Sequence, residues 1–167
     1  IEHCENLERT ATNARTMREV VQTRERRHRV AIDTIVADGI EMAPDPPTAV
    51  NVSVDIATSA SVLAHPKLSV AITQLIENAL EHAVDDDGEI RVTATKGGDD
   101  VIIEVSDDGP GIPSAELTVI DGHDESELEH GSGVGLWLID RIVDYSDGQL
   151  TFDTSGGTTA RITLGAA

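Results

Sequence analysis

Aromatic side chains are almost missing from this sequence. In 167 residues there are three, Trp137, Tyr145 and Phe152. A core must therefore be built from Val, Ile, Leu and Ala, and an apolar share of 39% is enough to build one. The single cysteine, Cys4, excludes an internal disulfide. Lysine is reduced to Lys67 and Lys96. No apolar run approaches the ~20 residues of a membrane-spanning helix, and no signal-peptide pattern is visible. The first residue is Ile1 and not Met. The expectation is a piece of a longer chain, cytoplasmic itself, whose parent is soluble or carries a membrane or sensor segment upstream.

Positive charge is scarce as well. Twelve basic residues face 31 acidic ones, for a net charge of -19. Such a surface repels nucleic acid, so DNA and RNA are excluded as partners. From Asp33 to Asp153 the acids are spread without forming a tail. A solvated acidic surface of this kind resists aggregation in concentrated salt, and the composition resembles that of proteins from extreme halophiles.

Residues 1–29 stand apart, with seven arginines, five glutamates and neither proline nor glycine. Leu7, Ala11, Ala14, Met17 and Val21 repeat at three-to-four spacing, the mark of one helix face. So narrow a stripe suits a helix–helix seam. Val30, Ile32, Ile35, Val36 and Ile40 continue as a second helix, which the proline-rich stretch at 44–47 ends. Val50, Val52 and Val54 alternate as a strand. A short strand is expected over 61–65, and a helix after Pro66 with Leu68, Ile72, Leu75, Ile76 and Leu80 on its apolar face. A turn at 85–88 leads to strands over 89–95 and 101–106, with 96–100 as their hairpin turn. Residues 113–133 read as a long acidic loop of the kind that forms lids. A helix over 134–145 and strands over 149–153 and 158–164 complete the chain. Strands in adjacent pairs with helices between them imply an α+β, two-layer sandwich: a mixed, mostly antiparallel sheet with helices on one face and an extra N-terminal helix.

Four segments carry chemistry. On the helix 74–83, Gln74, Asn78, Glu81 and His82 share the side away from the apolar face. Asn is poor in mid-helix unless its amide has a task, and a neutral oxygen beside a phosphate suits the octahedral shell of Mg²⁺. The run Asp107-Asp108-Gly109-Pro110-Gly111 follows a strand. Its glycines let backbone approach a ligand closely, and its first carboxylate can accept from an adenine amino group. Gly131-Ser132-Gly133-Val134-Gly135 opens a helix, where free N–H groups suit phosphate oxygens. Neither dinucleotide-fold glycine spacing nor a Gly-Lys-Ser/Thr phosphate loop is present. Gly157-Thr158 lies in the final hairpin turn.

Asn78, Asp107-x-Gly109-x-Gly111, Gly131-x-Gly133-x-Gly135 and Gly157-Thr158 resemble, in order and interval, the N box and glycine boxes of the GHKL (Bergerat) ATP-binding fold over roughly residues 46–165. Histidine kinases, gyrase-type topoisomerases, heat-shock chaperones and mismatch-repair ATPases share that fold. The resemblance implies ATP and Mg²⁺ as cofactors, with Asn78 on the metal and Asp107 on the adenine amino group. Gly109, Gly111 and Ile112 would shape the base pocket, and Thr158 would reach the base. Gly131, Ser132, Gly133, Val134, Gly135 and Leu136 would lie at the phosphates, flanked by His130, with His82 lining the nucleotide. The hydrolysing branches place a glutamate where this chain has Gln74, and an amide is no general base. Asn78-Ala79 and the helix at Gly135-Leu136-Trp137-Leu138 resemble sensor histidine kinases. Residues 1–29 then resemble the second helix of a dimerisation hairpin, implying a homodimer, and 30–167 the catalytic domain, serving a response-regulator receiver. Three features depart from that pattern. Glu81 replaces a usual lysine, the lid is short and acidic, and neither His3 nor His28 sits in an acceptor box. The acceptor histidine is expected outside the chain. A degenerate scaffold module, a GHKL ATP hydrolase and, more weakly, a serine-directed kinase are the alternatives.

Overall fold

The computed structural model describes residues 2–82, 87–112, 117 and 134–167. Helix α1 (Glu2–Gln22) precedes a short strand β1 (His28–Ala31) and helix α2 (Ile32–Met42). Strands β2 (Asn51–Ile56) and β3 (Ser61–Ala64) lead to helix α3 (Leu68–His82). The hairpin β4 (Glu89–Gly97) and β5 (Asp100–Asp107) follows, then helix α4 (Val134–Tyr145) and the hairpin β6 (Gln149–Asp153) and β7 (Thr158–Gly165).

One sheet has the order β2-β4-β5-β7-β6, parallel between β2 and β4 and antiparallel elsewhere. A second, two-stranded sheet pairs β1 with β3. Alternation decides which face of the large sheet is covered. Ile90, Val92 and Ala94 of β4 are buried, as are Val101, Ile103 and Val105 of β5 and Ala160, Ile162 and Leu164 of β7. The residues between them, such as Arg91, Glu104 and Arg161, lie on the other face; Arg161 Nε donates across the strands to Glu104 at 2.7 Å, and Arg91 pairs with Glu89 of its own strand. Helices α2, α3 and α4 cover the apolar face with Ile35, Val36, Ile72, Leu75, Leu138, Ile139 and Ile142. None of the three aromatic rings is fully buried; Trp137, Tyr145 and Phe152 pack at the core's margin.

The expected α+β sandwich is what forms, with three local differences. Val30 belongs to β1 and not to the second helix. Its position fits the helical period by coincidence, but residues 28–31 pair in register with 61–64. The expected 96–100 turn narrows to Gly98-Asp99, because Gly97 still pairs with Asp100 and Gly98 takes φ +64. In the N-terminal helix Met17 does not share the exposed face of Leu7, Ala11, Ala14 and Val21; Met17 packs on the core beside a fully buried Val20.

Helix α1 is anchored at its C-terminal end. Val20 enters the core, and Thr23 Oγ1 lies 3.0 Å from Nε2 of the buried His65. The Lys67 backbone N–H donates to His65 Nδ1 at 3.1 Å, which leaves the ring proton on Nε2, directed at Thr23. Thr23 passes its own proton to the Glu19 carbonyl at 2.6 Å. Burial holds the His65 pKa below its usual value, so the ring stays neutral and this polarity is kept. The His65 backbone N–H donates to Ser146 Oγ just past the end of α4, so this one residue joins three elements through its ring and its backbone. Lys67 with Glu19 and Arg27 with Asp147 add exposed ion pairs.

Gly39 explains how closely α2 and α3 approach. A Cβ there would stand 2.6 Å from Ile72 Cβ and 2.9 Å from the Ser69 carbonyl oxygen. Its own carbonyl accepts from Thr73 Oγ1 at 2.8 Å. In an open helix, alanine would be the better residue by about 1 kcal/mol. Here Gly39→Ala is expected to destabilise the fold by roughly 1–3 kcal/mol through overpacking, read as a lower denaturation midpoint. A midpoint equal to or above wild type would show that the helices separate without cost.

Candidate functional site

Helix α3 is buried along Leu68, Ala71, Ile72, Leu75, Ile76 and Ala79, so its polar side must lie at the edge of the helical layer. That edge faces the ends of β5 and β7. From α3, Leu75, Asn78, Ala79 and His82 line a cleft; Val105, Asp107 and Ile112 line it from β5 and the turn beyond; Phe152, Thr158 and Ala160 close it from the last hairpin. The cleft encloses ≈ 240 Å³, counting its open mouth. Its walls are apolar, and its polar groups number few and converge: Asn78, His82, Asp107 and Thr158. That is the make-up of a site for a flat, largely apolar ligand whose orientation is set by a few hydrogen bonds.

Two of those polar groups are held out of balance. Asp107 is half-buried, and burial pushes its pKa up, against the pull of the Gly109 N–H, of His82 and of the Thr158 N–H. Its Oδ1 accepts from Gly109 N–H at 3.0 Å. Charging this carboxyl at neutral pH therefore works against folding, as expected of a group placed for a ligand rather than for stability. The Thr158 hydroxyl is buried and has no hydrogen-bond partner among the described residues. An unpaired buried hydroxyl costs about 1–3 kcal/mol, which a ligand or a water would recover.

The glycines explain why the cleft has this shape. Gly157 has φ +109, and a Cβ on it would lie 2.2 Å from the Asp107 carbonyl oxygen. At Gly109 a Cβ would stand 2.7 Å from the His82 carbonyl oxygen, where the end of α3 meets the turn. Gly111 has φ +86. Two glycine runs 46 residues or more apart in sequence thus pack backbone against backbone around Asp107. At the start of α4, a Cβ on Gly135 would come within 2.8 Å of Gln74 Oε1 and 3.9 Å of Asn78 Oδ1. The N-terminus of α4 accordingly abuts the asparagine edge of α3, and the start of a helix is a place where an anion is favoured.

The residues singled out in the sequence come together in part. Asn78, His82, Asp107, Ile112 and Thr158 line one cleft, with Gly109 and Gly111 bounding its turn. Gly135 is beside Asn78, while Val134 and Leu136 are buried and do not line the cleft. His130, Gly131, Ser132 and Gly133, and the expected lid, lie outside the described residues, apart from Leu117, which packs on the core. The apolar walls Leu75, Ala79, Val105, Phe152 and Ala160 were not singled out. Strand alternation carries the signal for Val105 and Ala160, which share the inward face with the rest of the core.

Glu81, one turn beyond Asn78, does not stand alone. Arg9 of α1 donates to its carboxylate. Glu77, one turn before Glu81, is half-buried, and burial pushes its pKa up, opposed by Arg9 and reinforced by Glu81.

Residues 65–167 match the family described as histidine kinase-, DNA gyrase B-, and HSP90-like ATPase. Among curated relatives, sporulation kinase B of Bacillus subtilis is 28% identical over 102 residues, 60% of this chain and 24% of the relative. The sensor histidine kinase ZraS of Escherichia coli O157:H7 is 33% identical over 98 residues, 59% of this chain and 21% of the relative. This chain thus spans less than a quarter of the curated relatives it matches. In fold, it superposes on the mycobacterial sensor histidine kinase MprB with a TM-score of 0.69 at 21% identity, over 84% of this chain and 98% of that one. The chain belongs to the histidine kinase-, gyrase B- and HSP90-like ATPase family, and its homologues are the catalytic domains of sensor histidine kinases.

Proposed function

We propose that this chain is the catalytic part of a sensor histidine kinase, which binds Mg·ATP and presents the γ-phosphate to a histidine outside residues 1–167. The observation that carries the reading is the cleft itself: a half-buried carboxylate and an unpartnered buried hydroxyl, set among apolar walls at the edge of an asparagine-bearing helix. Adenine fits these walls. The Asp107 carboxylate accepts from its amino group, and Thr158 turns its hydroxyl to the base. Gly109, Gly111 and Ile112 set the floor. The N-terminus of α4, with Gly135 and the preceding residues 130–134, takes the phosphates. Asn78 offers Mg²⁺ a neutral oxygen next to that helix end. Bound there, the ion would neutralise phosphate charge as the phosphoryl group leaves.

Gln74 supports transfer over hydrolysis. Its Nε2 lies 3.2 Å from Glu77 Oε2 and its Oε1 faces the start of α4. An amide in this position orients but takes no proton from water. The relay then runs to an aspartate on a response-regulator receiver domain. The N-terminal helix supports a homodimer in the parent protein. Its inner side carries Met17 and Val20, with Thr23 just past its end, while Cys4, Leu7, Ala11, Ala14 and Val21 remain exposed at heptad-like spacing. Leu7 is 70% exposed, a large apolar side chain left for a second helix. On this reading residues 1–29 are half of a dimerisation hairpin and 30–167 the catalytic domain. The domain works in the cytoplasm, where ATP is available. Its acid-rich exposed surface fits concentrated salt.

Replacement of the carboxylate tests the assignment. Asp107→Asn is expected to weaken Mg·ATP binding by about tenfold or more, since a charged acceptor is lost, and to remove the preference for ATP over GTP. Because burial raises the Asp107 pKa and adenine needs the ionised form, wild-type affinity is full above that raised value. It falls as the pH drops through it, at a higher pH than for an ordinary aspartate. The asparagine variant should show no such fall. Calorimetry at several pH values measures both, and unchanged affinity in Asp107→Asn would overturn the pocket assignment. Phosphate appearing on a supplied acceptor-histidine partner, with little released to water, would establish transfer; steady phosphate release without an acceptor would establish a hydrolase.

A further inference from the structure

We propose that Arg9 of α1 is a positioning residue for the triphosphate: by pairing with Glu81 it cancels a negative charge at the phosphate side of the cleft, so that nucleotide affinity depends on α1 being docked. The inference rests on the ATP-binding reading above.

Asn78 and His82, four apart, both line the cleft. Glu81 lies between them in sequence, three residues from Asn78, so it stands on the same side of the helix, at the cleft's rim. Glu77 precedes Asn78 and is half-buried. A Mg·ATP complex keeps net negative charge, so an edge bearing two carboxylates would repel it. The Arg9 guanidinium meets Glu81 at that edge and is close enough to Glu77 to oppose the rise of its pKa. The cation reaches Glu81 from an element distant in sequence.

What holds Arg9 there lies elsewhere on the helix. Val20, the Thr23–His65 hydrogen bond and the Glu19–Lys67 ion pair fix the C-terminal end of α1. Arg9 is about three turns further toward the N-terminus. The Arg9–Glu81 side chains are both about half exposed. The pair therefore adds little to stability, and its consequence is electrostatic: when α1 moves, Glu81 is uncovered and the triphosphate is repelled. By reciprocity, bound Mg·ATP favours the docked position of α1. Motion of this helix and occupancy of the nucleotide site then bias each other.

Calorimetry of Mg·ATP and of uncharged adenosine, with wild type, Arg9→Ala, Glu81→Gln and the double variant at low and molar KCl, tests this. In low salt Arg9→Ala should weaken Mg·ATP by about three- to tenfold, leave adenosine unchanged, and regain wild-type affinity when Glu81→Gln is added. Molar KCl should shrink the difference. Equal losses for adenosine and Mg·ATP would make Arg9 merely structural and overturn the inference. So would unchanged Mg·ATP affinity in Arg9→Ala, or a double variant no better than the single one. A wild type that binds Mg·ATP and adenosine while these variants behave alike defeats this inference only. A wild type that binds neither defeats the ATP-binding reading, and the inference with it.

Discussion

A carboxylate at the inner end of a central strand, half removed from water, is difficult to hold in its ionised form. Asp107 is in that position because β5 is hydrogen-bonded on both sides, to β4 and β7, and ends under the edge of α3. Everything around it follows from the need to keep backbone close and bulk away. The Gly109 N–H steadies the carboxylate, and the Gly157 backbone approaches the Asp107 carbonyl more closely than any side chain would permit. The His82 carbonyl lies against Gly109, which fixes the end of α3 to the same turn. The glycines are thus consequences of one buried acid. The apolar walls supply the desolvation that lifts its pKa and would strengthen a hydrogen bond to a bound base.

The second organising feature is the attachment of α1. A lone helix with so narrow an apolar stripe gains little by folding alone. Here one buried valine and a histidine with a defined ring polarity connect it to the start of α3 and the end of α4. The other end of α3 lines the cleft, and the other end of α4 abuts α3 at Gln74 and Asn78. A displacement of α1 is therefore felt by elements that carry Asn78 and Gly135, in a packed layer that moves by rigid pieces. The opposite side of α1, with Leu7, Ala11, Ala14 and Val21, remains exposed.

Much of this was legible in the residues. Strand alternation over 89–95 and 101–106 and the helical period of Leu68, Ile72, Leu75 and Ile76 come from burial on one face, a local consequence of a global layer. The glycine motifs stood out because backbones that pack this closely need glycine at fixed places. Val30 was not, since a β-branched residue next to a helix fits both periods until its partner strand is known. Gly39 drew no notice, because its role depends on Ile72 of another helix. Met17 and Val20 sit on adjacent helical positions, and which of two stripes turns inward depends on the surface offered by α4 and His65. Arg9 and Glu81 are 72 residues apart, and no local pattern relates them.

Trp137 offers the most direct measurement of the central claim. It lies on α4, two residues past Gly135, partly buried, with the Arg141 guanidinium 5.6 Å from its ring centroid. Mg·ATP is titrated in molar KCl while its fluorescence is followed, with GTP and metal-free ATP in parallel. A saturable response that requires Mg²⁺ and favours ATP is the predicted result. A flat trace, with calorimetry also showing no heat of binding, would contradict the account and leave a nucleotide-free scaffold.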